Sequence, residues 1–132
     1  MSETKQLPDR ADLPEALTWD LTKIYADDGA FEEAFQEIVA ELKQADDFKG
    51  TLSQGPAAFK EALEYVLAIS RKLEKLYVYS HLKNDQDTAN TTYQGLYAKA
   101  SNLVAQVSEA IAWFDPELLS MDDATIWGYF DQ

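Results

Sequence analysis

The chain has 132 residues, 46% hydrophobic and 12% aromatic, which suits one folded domain and is too short for a two-domain enzyme with a deep cleft. Its 24 acidic residues against 11 basic ones leave a formal charge of −13, a field that repels phosphate backbones and anionic lipid and so excludes nucleic acid and membrane surfaces as partners. Cysteine is absent, which removes disulfides and thiolate chemistry; the start Met1-Ser2-Glu3-Thr4-Lys5 leads into no apolar signal core, and no apolar run reaches the ~20 residues of a membrane span, so the expected location is the cytoplasm.

Residues 1–25 hold Pro8 and Pro14 and no sustained period, which predicts an extended leader anchored by Trp19, Leu21, Ile24 and Tyr25. Asp27 and Asp28 offer caps, and Phe31, Ala34, Phe35, Ile38, Val39, Leu42 and Ala45 recur at three-and-four spacing, so a first helix is expected over 28–46. Lys49-Gly50 breaks the pattern. Pro56, after Ser53-Gln54-Gly55, stands where a first helical residue needs no N–H, and a second helix is expected over 56–84. Its main stripe is Phe59, Leu63, Val66, Ser70, Leu73, Tyr77 and Ser80, widened by Ala62, Tyr65, Ile69 and Leu76. The stretch from Leu76 to Leu82 is apolar in every direction, so that end must be covered.

Asp85-Gln86-Asp87-Thr88-Ala89-Asn90 is rich in capping residues and joins the second helix to a third, expected over 90–114. Tyr93, Leu96, Tyr97, Ala100, Leu103, Val104, Val107, Ile111 and Phe114 form its face, and two long helices joined by a short turn make an antiparallel hairpin. Asp115-Pro116 restarts a helical turn by the aspartate-cap and proline rule. Asp122-Asp123 can cap a last helix with Ile126, Trp127, Tyr129 and Phe130, so short helices are expected over 116–132, the last running to the end without a stop signal. The expected fold is all-α, a single helical domain over residues 1–132.

Little in this chain looks like chemistry. A zinc hydrolase needs about three protein ligands, usually including histidine, yet His81 is the single histidine and no HExxH pair occurs. At the edge of an apolar stripe, His81 reads as packed or capping. The 85–90 segment fails the calcium-loop pattern, with Ala89 lacking a ligand oxygen, Asn90 where glycine belongs and Leu96 where glutamate belongs. Glu32, Glu33, Glu37, Glu41, Glu61, Glu64 and Glu74 fall largely on expected solvent faces and suggest no sheltered acid or base. No catalytic, cofactor or metal residue is assigned.

Three stretches carry a family likeness: Leu17-Thr18-Trp19-Asp20-Leu21-Thr22-Lys23-Ile24-Tyr25; the run from Leu76-Tyr77-Val78-Tyr79-Ser80-His81 through Asp85-Gln86-Asp87-Thr88-Ala89-Asn90 to Tyr93-Gln94; and Phe114-Asp115-Pro116-Glu117-Leu118-Leu119. Together they resemble the amino-terminal region of the oligoendopeptidase F group of thimet-oligopeptidase-like zinc peptidases. The resemblance implies a large, mostly helical cytoplasmic enzyme that cleaves short peptides in a deep channel, with zinc held by HExxH and a downstream glutamate. None of those residues lies in this chain. What it implies here is a non-catalytic part of the channel wall, partnered by the remaining carboxy-terminal catalytic part. A reading from another class is a free-standing acidic helical module that binds another helix through an exposed groove.

One further pattern lies on the third helix. Ala98, Ser101, Ala105, Ser108 and Ala112 form a second seam of small side chains, and Lys99 and Glu109 are the charges between Thr88 and Phe114. Small residues let another backbone approach closely, so this seam is expected to be an interface, with a later helix of the parent or in a homodimer of the segment. An exposed alanine-rich helix chosen for propensity is the plainer explanation.

Overall fold

The structure, a computed structural model, describes residues 6–132. The regular elements of these residues are all helical: α1 (Asp28–Leu42), α2 (Ala45–Phe48), α3 (Pro56–Gln86), α4 (Thr91–Ala110), α5 (Phe114–Leu119) and α6 (Asp123–Phe130), preceded by single 3₁₀ turns at Arg10–Asp12, Glu15–Leu17 and Leu21–Lys23 and joined to α3 by another at Leu52–Gln54. The first five residues of the expected leader lie outside the described ones.

Within the leader, Leu21 is buried, and Ile24 and Tyr25 pack on the core beside it. Trp19 does not anchor the leader: it is 80% exposed. The Asp20 side chain accepts from the Thr22 N–H and starts the turn, which delivers Leu21 rather than Trp19 to the inside.

Asp27 caps α1 by accepting from the Ala30 N–H at 2.8 Å. The helix stops at Leu42, short of the expected Asp46. Gln44 N–H closes a tight turn onto the Glu41 carbonyl, Tyr65 donates its hydroxyl to that carbonyl at 2.9 Å, and Phe48 of α2 stacks on the Tyr65 ring at 4.6 Å. Orphan carbonyls at a helix end are thus met from a neighbouring helix. Gly50 and Gly55 hold φ of 81° and 134°, the left-handed side that favours glycine, on either side of the turn leading to Pro56.

The α3 helix runs two residues past the expected Lys83-Asn84 end, to Gln86. Its buried residues are Phe59, Ala62, Val66, Ile69, Leu73, Leu76, Tyr79 and Ser80, while Leu63, Ser70 and Tyr77 of the expected main stripe are only half-buried. Ala62, Ile69 and Leu76 therefore lie at the centre of the buried arc, because α1 and α4 cover α3 from two sides. In the connection Asp87 accepts from the Ala89 N–H, and Asn90 caps α4 by accepting from the Thr92 and Tyr93 N–H groups. These side chains serve as turn and cap acceptors.

Contacts from α1 set its direction: Asp28 meets Tyr79 and Lys83, and Glu41 meets Tyr65 and Lys72. It therefore runs antiparallel to α3, which itself pairs antiparallel with α4. The bundle core between them contains Phe31, Ile38, Ile69, Leu73, Leu76, Tyr79, Leu103 and Val107.

A second cluster fills the end of the bundle, formed by Leu52, Phe59, Ala62, Val66 and Phe114 with half-buried Trp113, Leu118, Ile126 and Tyr129 around them. Here α4 ends at Ala110 instead of Phe114. Ile111 takes φ −101° and ψ 6°, and the Phe114 N–H bonds the Ile111 carbonyl at 3.0 Å, a turn that redirects Phe114 into the end cluster. The same turn places Asp115 and Pro116 inside the first turn of α5, so Asp115 is not its cap. Asp122 precedes α6, but its side chain makes no cap bond. The last helix ends at Phe130 rather than running on to Gln132.

Candidate interaction surfaces

Several ionisable side chains tie one helix to another. Lys72 of α3 donates to Glu37 at 2.6 Å and to Glu41 at 2.5 Å, and Lys99 of α4 donates to Glu32 at 2.5 Å. These hydrogen bonds hold Glu37 and Glu32 below the usual carboxylate range, the Lys72 and Lys99 ammonium groups being the leading causes. Sequence spacing placed Glu32, Glu37 and Glu41 on solvent faces and missed these ties, whose partners are far apart in the chain.

His81 lies half-exposed on α3, its Nδ1 3.0 Å from Asp85 Oδ2 one turn on, and its ring meets Tyr97 of α4 edge-on at 5.4 Å. The Tyr77 and Tyr97 hydroxyls stand 3.2 Å apart beside it. Among the described residues no group of three or more histidine, cysteine, aspartate or glutamate side chains is placed to hold a metal ion. The donor set present does not fit zinc, which needs about three converging protein ligands.

Deeper in the bundle, Tyr79 donates to Asp28, and Lys83 stands 3.6 Å from the same carboxylate and over the Tyr79 and Tyr93 rings at 5.5 and 5.0 Å. Tyr25 meets Tyr79 edge-on at 5.2 Å. This network covers part of the apolar end of α3 that the sequence requires to be covered, while Val78 on its outer side stays 39% exposed.

Two of the exposed surfaces among the described residues bear on partners. The first is the small-residue seam, where Ala98, Ala105, Ser108 and Ala112 are exposed and Ser101 is half-buried. The second is a recess of about 420 Å³ between the first turns of α3 and the end of α6, walled by Pro56, Phe59, Leu63, Tyr129 and Phe130. Beside it Trp127 is 69% and Phe130 63% exposed. No helix among the described residues is long and apolar enough to cross a membrane.

No family model matches the chain. It is 38% identical over 126 residues to oligopeptidase PepF of Bacillus subtilis, covering 93% of this chain, and 40% identical over 111 residues to the chromosomal oligoendopeptidase F of Lactococcus lactis subsp. cremoris, covering 83%. Over most of its length the chain matches oligoendopeptidase F proteins. It spans 19% of the Bacillus relative and 18% of the Lactococcus one, and corresponds to the amino-terminal part of such oligoendopeptidase F proteins. The crystal structure of oligoendopeptidase-F from Enterococcus faecium superposes over 80% of the chain with a TM-score of 0.77 at 53% identity. A Chlamydophila abortus structure superposes over 96% with a TM-score of 0.82, and at 24% identity it shows the fold alone. The all-α reading and the family resemblance thus agree with oligoendopeptidase F relatives over most of the chain.

Proposed function

We propose that the chain is the amino-terminal, non-catalytic part of a cytoplasmic zinc metallopeptidase that hydrolyses short peptides, and that its own work is mechanical. It supports the wall of a channel that admits oligopeptides and excludes folded proteins. The observation that carries this reading is the 38–40% identity to PepF and oligoendopeptidase F relatives over most of the chain. The lone His81 and the cross-helix use of Glu32, Glu37 and Glu41 agree with a scaffold rather than a reacting centre. The remaining carboxy-terminal part of the parent would hold the metal, and the seam of Ala98, Ser101, Ala105, Ser108 and Ala112 would receive one of its helices. Small side chains permit that close approach, and Lys99 turns from the seam toward Glu32.

The test is cleavage of a quenched fluorescent oligopeptide by the full-length protein and by the 132-residue chain. Turnover by the former that a chelator abolishes and zinc restores, with the latter inert and metal-free after dialysis, is expected. A full-length protein without chelator-sensitive turnover overturns the reading, as does stoichiometric zinc retained by the short chain.

A further inference from the structure

The outward side of α6 is unusual for a surface helix. Its inward residues Ile126 and Tyr129 pack on the end cluster, while Trp127 and Phe130, one turn apart, point out at 69% and 63% exposure. Asp123, in the first turn, is the only charged residue of the helix. A helix that is apolar all round belongs between two layers, and large aromatics grouped beside an apolar recess mark a contact surface. The recess walls repeat this chemistry: Phe59 meets Tyr129 at 5.5 Å and Phe130 at 6.2 Å, and among the described residues Lys60 is the one charged residue lining it.

We infer that this recess is the seat of the polypeptide that directly follows Gln132 in the parent, a segment presenting apolar side chains to Trp127 and Phe130. The inference rests on reading the chain as the amino-terminal part of a longer peptidase, of which it spans 19% in the Bacillus relative. Gln132 itself lines the recess, so a chain that continues from it starts at the rim. Tethering there raises the local concentration of the following segment far above that of any free competitor. A second copy is a poorer occupant, because it would bring a further charge of −13 against a surface of the same sign.

Hydroxyl-radical oxidation, read residue by residue by mass spectrometry, tests the seat in three proteins: the 132-residue chain, the chain extended through the next helix of its own reading frame, and the full-length protein. Phe59, 6% exposed at the recess wall, reports that the end cluster is folded in each. Oxidation of Trp127 and Phe130 is expected to fall severalfold in the extended chain and to stay low on dilution. Unchanged oxidation in the extended and full-length proteins overturns the inference. So does protection that first appears at full length, since a distant segment then covers the recess, or protection of the short chain that dilution removes, since a second copy then does. A reading frame that stops after Gln132 overturns it as well. Protection without chelator-sensitive peptidase activity keeps the seat and removes the zinc peptidase; activity without protection does the reverse.

Discussion

Tyr79, in the later half of α3, donates its phenolic hydrogen to Asp28 Oδ1 at the first turn of α1, across 2.8 Å. The ring is 1% exposed and stacks on Phe31 at 5.7 Å, so one side chain joins the apolar core to the polar edge of the bundle. Burial, with the Asp28 bond second, pushes the Tyr79 phenol above its ordinary range.

Replacing Tyr79 by Phe removes the donor while keeping the ring, and the half-exposed Asp28 retains Lys83 nearby, so the expected loss is about 1 kcal/mol. Tyr79→Ala also opens a cavity and should cost about 3–5 kcal/mol. Because the folded pKa is raised above the ordinary 10.0, the contribution is fully present below pH 10.0 and is lost as pH rises through the native value. Urea unfolding checks the first two figures, and a Tyr79→Phe variant with less alkaline destabilisation checks the third.

Acid should loosen α1 from its neighbours. Glu32 and Glu37 are held below their ordinary value of 4.5, so their contribution is present above that pH and lost as pH falls through the lower native values. Both carboxylates are close to solvent, so the ties are also screened by salt. The thermal midpoint of the Lys72→Met, Lys99→Met double variant should fall less on acidification than that of the parent chain; an identical acid dependence would show that the ties contribute nothing.

Leu103 and Leu67 test the assignment of faces. Leu103 of α4 is 1% exposed and Leu67 of α3 is 55% exposed. Leu103→Ala should cost about 2–5 kcal/mol, and Leu67→Ala should stay within about 0.5 kcal/mol. Denaturant midpoints with unchanged m-values would report both.

These faces show how far the sequence could be read. Periodicity sufficed for the buried face of α4, where Ala100, Leu103 and Val107 recur, but not for its end. On α3 it misplaced the centre of the arc, because the series through Leu63, Ser70 and Tyr77 and the series through Ala62, Ile69 and Leu76 have the same spacing. Only the positions of α1 and α4 decide between them. The stop of α1 at Leu42 is met by Tyr65 from α3, and that of α4 at Ala110 accompanies the burial of Phe114 in the end cluster, both tertiary events. Lys72 with Glu37 and Glu41, and Lys99 with Glu32, were likewise illegible, since charge type carries no address. The leader motif around Trp19 told the family but not the direction of the indole.

Ala105→Glu separates the two settings proposed for the seam. Ala105 is exposed here, so helicity and unfolding midpoint of the 132-residue chain should barely change. The same substitution in the full-length protein should lower its stability by burying a charge at a helix contact. Sedimentation equilibrium completes the test: a dimer of the short chain that Ala105→Glu dissolves would identify the seam as its self-contact, and an indifferent dimer would exclude it.

Tyr65 and Ile111 each touch both the bundle core and the end cluster while being only half-buried themselves. Two side chains at such a junction make a thin seal between two reservoirs of apolar contact. Opening α5 and α6 would then expose the end cluster without dismantling the contacts among α1, α3 and α4. Amide exchange should accordingly fall into two populations: those of α5 and α6 would exchange through a low-energy partial opening, and those around Leu76 and Leu103 only when the whole bundle melts. The molecule would breathe at one end, the end where its aromatic recess lies.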